Sequence, residues 1–195
     1  MKFNTQVFST LSGWALALGM GISAQAQATV APNLLQSSWS AREVFAQNYL
    51  AVTGQVLGTE FVGLSAQVDA SSGEHVVRVW IGDSANSMIG QELRCSANCN
   101  LGAALPSQAY THPQRRVTEA LLKEAVQAAG DEFKRKIAPL EQLTNIKLWI
   151  RGAYVYYRME WVKAGAGPQT SFLACHEHGA HIDCHRQTRA GAGEF

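Results

Sequence analysis

The chain has 195 residues, a formal net charge of +1 and 47% hydrophobic residues. That is enough for one domain, or for two small ones sharing a core. A charge so close to zero gives no support for nucleic-acid binding, which usually needs a concentrated basic footprint.

Lys2 precedes a mostly apolar run at residues 8–22, and small residues follow at Ala24, Ala26 and Ala28. This is the pattern of a secretory signal peptide over residues 1–28, with A-x-A cleavage sites ending at Ala26 or Ala28. The apolar run is shorter than the roughly 20 residues a membrane-spanning helix needs. No cysteine follows the cleavage region, so a lipid anchor is not expected, and no later stretch is apolar for long enough to span a bilayer. The mature chain is expected to be periplasmic or secreted, with its four cysteines in an oxidising environment.

Residues 29–39 read as a polar N-terminal leader. Ser40 and Glu43 form an S-x-x-E capping box, flanked by Trp39 and Val44 as a hydrophobic staple, so the first helix is expected over residues 41–53, with Gly54 as its stop. Residues 61–68 then alternate, with Val62, Leu64, Ala66 and Val68 on one side. After the turn chemistry of DASSGE, residues 75–81 alternate again, with Val77, Val79 and Ile81 opposite Val76, Arg78 and Trp80. A third strand is expected near residues 89–95, ending in Cys95, with Cys99 four positions on.

Residues 101–110, with Gly102 and Pro106, read as a linker. Thr111 and Gln114 make a second capping box before a helix whose stripe is Val117, Leu121, Ala125 and Ala128. A second hairpin follows around a tight Arg151-Gly152 turn. In that register Ile150 faces Ala153, Leu148 faces Val155 and Ile146 faces Tyr157. One side then carries Ile146, Leu148, Ile150, Val155, Tyr157, Met159 and Trp161, and the other Lys147, Trp149, Tyr154, Tyr156, Arg158 and Glu160.

The halves share an order of capped helix, strand, strand, loop, and a strand ending in Leu-x-Cys. Aligning Leu93-Arg94-Cys95 with Leu173-Ala174-Cys175 gives an offset of 80 residues that places Arg78 on Arg158 without a gap. The expected fold class is therefore α+β: two similar αβββ units, at residues 40–100 and 111–189, forming an antiparallel sheet with the helices packed on one face. A disulfide-pinned C-terminal β-hairpin closes the second unit, and residues 190–195 are a flexible tail. This element order is similar to that of tandem α/β inhibitor proteins of the β-lactamase-inhibitor type, and more loosely to PepSY-type modules. The similarity is one of architecture, with no diagnostic family motif and no D-A-x-T-G-E segment.

The densest chemistry lies in TSFLACHEHGAHIDCHRQTR, residues 170–189. A turn at Gly179-Ala180 sets His178 opposite His181, Glu177 opposite Ile182, His176 opposite Asp183 and Cys175 opposite Cys184. That last pair occupies a non-hydrogen-bonded site, where opposed residues are close enough for a disulfide. Cys95 and Cys99 form the equivalent link, although four cysteines allow three pairings and a four-cysteine zinc site is the rival. The register leaves His176, His178, His181, Asp183 and His185 on one side, as nitrogen and oxygen ligands for zinc or copper or as a solvated polar edge.

His176-Glu177 followed by His181 is one residue too long for the H-E-x-x-H of zinc proteases, and Cys184-His185 lacks the first cysteine of a haem-attachment motif. There is no nucleophile elbow and no glycine-rich phosphate loop. Trp149, Tyr154, Tyr156 and Arg158 are the residue types favoured as interface anchors. The expectation is an exported accessory or inhibitor-like protein, not an enzyme, with a protein partner in the cell envelope and no cofactor. The alternative is a periplasmic zinc- or copper-binding protein using the histidine face, and a third reading is a hydrolase with a scattered site.

Overall fold

The structure, a computed structural model, describes residues 34–54, 61–84, 86–110, 117–136, 142–163, 165–179, 181–191 and 194. The expected signal peptide, and the Thr111/Gln114 capping box, lie outside the described residues. In chain order the elements are α1 (Leu34–Thr53), β1 (Phe61–Val68), β2 (His75–Ser84), β3 (Ser87–Cys95), β4 (Cys99–Ala109), α2 (Glu119–Lys136), β5 (Gln142–Arg151), β6 (Tyr154–Lys163), β7 (Gly167–His178) and β8 (His181–Gln187). The strands form one antiparallel sheet in the order β4-β3-β2-β1-β5-β6-β7-β8. Each half is thus a meander running outward from the centre, where β1 pairs with β5.

The expected α+β class built from two αβββ units is corrected by this sheet. Strands hold about twice as many of the described residues as helices do, and the first half contains four strands, not three. The extra one is β4, the stretch read as a linker. It escapes notice because it is an edge strand, polar and largely exposed. Two register irregularities against β3 accommodate its poor strand residues, and Pro106 falls in the one opposite Met88 and Gly90. A proline is tolerated at such a place, where no ladder donor is needed.

The expected start of the first helix is also corrected. Ser40 lies inside α1, which begins at Leu34, and the Trp39 indole donates to the Glu43 carboxylate at 2.6 Å, so neither capping box nor staple forms. Leu34 and Leu35 anchor the added turn in the core. Ser37 and Ser38 are buried beside them, with Ser38 Oγ donating to the Leu34 carbonyl and Ser37 Oγ hydrogen-bonded to His75 Nδ1 of β2 at 2.7 Å. Polar residues satisfied this way break the apolar period, so the helix looks shorter than it is. At α2, Thr118 Oγ1 accepts from the Leu121 amide as the N-cap. The buried stripe is Leu121, Leu122, Ala125 and Ala129, and Ala128 is only partly buried.

Both helices pack on the same sheet face. Leu64, Ala66, Val77, Val79, Ile81, Leu93, Ile146, Leu148, Ile150, Val155, Tyr157, Met159 and Leu173 meet them in one core shared by both halves. Val62 does not join them. A bulge between Phe61 and Gly63 turns Phe61 into the core and Val62 to the opposite face, because a one-residue slip inverts a strand's sides. There Val62 packs with Trp80 and Met88 in a smaller cluster, backed by Leu105 and Tyr110. A Cβ on Gly90 of β3 would come within 2.5 Å of the Trp80 ring. Gly90→Ala is expected to cost about 1–3 kcal/mol by overpacking, measured by urea unfolding. Adding Trp80→Leu should return part of that loss, whereas strict additivity of the two changes would rule this packing out.

The second hairpin is also shifted from its expected register. Its turn is Gly152-Ala153, so Ile150 pairs with Val155, Leu148 with Tyr157 and Ile146 with Met159. Gly152 takes the positive φ of 60° that the first position of a II′ turn requires, and Ala153 needs none. The shift is two residues, so every side chain keeps its face. At the offset of 80, β2/β3 and β6/β7 pair identically: His75 with Cys95 and Val155 with Cys175.

Candidate functional site

The sheet face turned away from the helices gathers the functional candidates. In the C-terminal hairpin Gly179 has φ 66°, and His178 pairs with His181, Glu177 with Ile182, His176 with Asp183 and Cys175 with Cys184. Cys175–Cys184 and Cys95–Cys99 are both disulfides, each with a Cα–Cα distance of 4.1 Å. Cys175 is in the core and Cys184 and Ile182 pack against it, which leaves His176, His178, His181, Asp183 and His185 outward.

The β6/β7 register then does what neither segment shows alone. It sets Tyr154 beside His176 and Tyr156 beside Ala174, so the aromatic and histidine groups share one surface. Ring centroids follow one another from Trp149 to Tyr156 at 5.6 Å, Tyr154 at 5.7 Å, His176 at 4.8 Å, His178 at 6.2 Å and His181 at 5.7 Å. His185 adjoins His176 at 5.3 Å. The ladder runs from buried to open: Trp149 is 0% exposed, Tyr154 39%, His176 half-buried, and the His178 side chain 71% exposed. Trp149 is therefore its floor, and Tyr154 its first open ring. Burial, with Tyr154 adding to it, pushes the Tyr156 phenol above its usual pKa.

At the open end, one ligand atom each from His178, His181 and Asp183 lie within 4.8 Å of one another. Asp183 Oδ2 is 3.7 Å from His178 Nδ1, and Oδ1 is 3.5 Å from His181 Nε2. Donors held about 2.0–2.1 Å from a tetrahedral zinc sit near these separations. His176 and His185 stand one row further in. The adjoining disulfide fixes the register on which the trio depends.

Toward the middle of the sheet the same face holds a groove of about 610 Å³. Ser65, Gln67, Asn145 and Lys147 lie along the central strands, between Arg78 and Trp80 on one side and Arg158 and Glu160 on the other, and Leu105 and Pro106 of β4 form a rim. Arg78 pairs with Glu92 at 3.2 Å. Arg158 pairs with Glu160 at 2.6 Å and with Glu194, from the segment expected to be a loose tail, at 3.2 Å. The hydrogen bond to Glu194 is the chief cause that raises the Arg158 pKa. Sequence reasoning passed over Lys147, Gly191 and Glu194 as site residues. The alignment of Arg78 with Arg158 is the one sequence signal that leads to them.

Eight antiparallel strands, two helices on one face and a disulfide in each outer hairpin define a sheet-dominated, disulfide-stapled two-layer protein. Among the described residues no helix is long and apolar enough to cross a membrane. No family model matches the sequence, and no curated protein does. Among solved structures the chain is similar to that of a "putative lipoprotein" from Clostridium difficile 630, at 13% identity and a TM-score of 0.43, covering 80% of this chain and 99% of that one. That likeness is too distant to bear on function.

Proposed function

We propose that this is an exported accessory protein that binds a protein partner on the face away from the helices, without catalysing a reaction. The observation that carries it is the continuous ring ladder from buried Trp149 to exposed Tyr154 and His178, beside the Arg158 ion pairs. Large rigid aromatics with a flanking arginine are the anchors around which interfaces form, and here they are pre-ordered by stacking. The disulfides support an oxidising compartment. Affinity capture from the cell envelope with the tagged mature chain identifies the partner, and titration with that purified partner tests the face. Tyr154→Ser should weaken binding about tenfold or more, the range of an anchor residue, with unfolding unchanged. Undiminished affinity in Tyr154→Ser would remove this face from consideration.

A second reading is supported by the His178, His181 and Asp183 cluster. Here the protein holds zinc or copper with two imidazoles and one carboxylate, leaving a coordination position for a partner's ligand or water. Protons compete with the metal for the imidazole nitrogens, so affinity should fall on acidification. Calorimetric titration with zinc at pH 7.5 should show one saturable site, lost in His178→Ala and retained in His185→Ala. Equal binding by both variants would place the metal elsewhere.

A further inference from the structure

Arg78 and Arg158 occupy matching places in the two halves, yet their carboxylates come from different sources. The residue paired with Arg78 across the sheet is Glu92, and the side chains meet at 3.2 Å. The residue paired with Arg158 is Phe172, which carries no charge. Besides Glu160 on its own strand, Arg158 takes its carboxylate from Glu194, whose Oε1 lies 3.2 Å from Arg158 Nη1 and 3.5 Å from Lys147 Nζ. Upstream, Gly191 lies so close to the Tyr156 ring that a Cβ there would collide with it. Bare backbone on an aromatic face, followed by a carboxylate between two cations, is how a bound peptide is held. Arg158 Nε is buried and has no acceptor among the described residues, so the guanidinium keeps a donor in reserve.

We propose that this end of the outer face is a receptor for an acidic segment of a partner protein, and that Gly191 and Glu194 occupy it as a strap the partner displaces. The inference rests on the outer face being the partner-binding surface. Arg78 pairs with Glu92, Arg158 with Glu160 and Glu194, and Lys147 with Glu194, so each of these cations has a carboxylate partner with the strap in place. Lifting the strap removes one carboxylate, and an incoming Asp or Glu restores it. A short tether holds the strap at an effective concentration in the millimolar range. Weak acidic peptides are thereby kept off, and a partner is admitted only when it adds contacts on Tyr154 and its neighbours.

The test uses the mature chain and a labelled, C-terminally amidated peptide Arg-Ala-Gly-Ala-Gly-Glu-Phe, the order of residues 189–195. Its glutamine counterpart serves as control, and fluorescence anisotropy as readout. Relief from the tethered competitor should make the glutamate peptide bind Glu194→Gln about tenfold or more tightly than wild type, with the glutamine peptide far weaker. Gly191→Val, which unseats the strap from Tyr156 with its carboxylate intact, should show the same gain. Arg158→Gln in the Glu194→Gln background should abolish binding. Equal affinity for the two peptides, or no gain in either strap variant, overturns the proposal. If the captured partner still depends on Tyr154 while the peptides fail, the strap is wrong and the binding face stands. If the peptides behave as expected and the partner ignores Tyr154, the face reading alone fails.

Discussion

Replacing Cys175 and Cys184 together with serine is expected to lower stability by about 2.5–3 kcal/mol, and replacing Cys95 and Cys99 by about 2 kcal/mol. These values follow from the chain entropy that the short loops remove from the unfolded state. The two disulfides are alike in position: each ties an outer strand, β4 or β8, to its neighbour at the end of the sheet. An outer strand is hydrogen-bonded on one side only, so the covalent link replaces the partner it lacks. Removing both should therefore cost about 4–5 kcal/mol, a large share of the roughly 5–15 kcal/mol available to a domain. Urea unfolding with and without reductant measures it. Reduction that leaves the midpoint unchanged would show that hairpin packing alone holds the edges. Loss of the second disulfide should also weaken zinc binding, since the link adjoins the His178, His181 and Asp183 cluster.

Arg42→Met is expected to stabilise the protein by about 1–3 kcal/mol. Arg42 is 1% exposed between α1 and the sheet, and Nε, Nη1 and Nη2 all lack hydrogen-bond partners among the described residues. Its ion pair with Glu119 is 3.6 Å long, and Glu119 is half exposed to water, which screens the attraction. The guanidinium lies 4.2 Å from the Trp39 ring centroid and 5.3 Å from that of Phe61, which offsets part of the desolvation cost. Burial nevertheless dominates and lowers the Arg42 pKa, with Glu119 opposing it. Methionine keeps an unbranched apolar stem as long as that of arginine up to Nε, and its flexible thioether can fill the space left by the guanidinium with no charge to desolvate. The buried Tyr157 hydroxyl likewise has no hydrogen-bond partner among the described residues, and burial drives its pKa well above the usual value. Tyr157→Phe should accordingly be near neutral. A loss of more than about 1 kcal/mol in Arg42→Met would mean that the guanidinium is satisfied and structural.

Neither Arg42 nor the groove could be read from neighbouring residues. An S-x-x-E box predicts a helix start at Ser40, which leaves Arg42 in a first turn open to water. It is buried because Leu34, Leu35, Ser37 and Ser38 extend the helix across the sheet and carry Arg42 against it. The linker assigned to residues 101–110 failed for a similar reason. An edge strand is selected by the backbone of its neighbour, so its side chains need show no period.

Local sequence alone determined what two-residue periodicity and turn chemistry can encode. That includes strands β1, β2 and β6, the Gly179 turn, all four cross-strand pairs from His178–His181 to Cys175–Cys184, and hence the second disulfide. The tertiary structure decided the rest. It turned Val62 outward at a bulge, paired β1 with β5 into a single sheet, merged the aromatic and histidine groups into one ladder, and brought Glu194 to Lys147 and Arg158. Each of these depends on a contact between segments far apart in the chain, and a strand's own side chains report which residues share a face but not which strand will lie beside them.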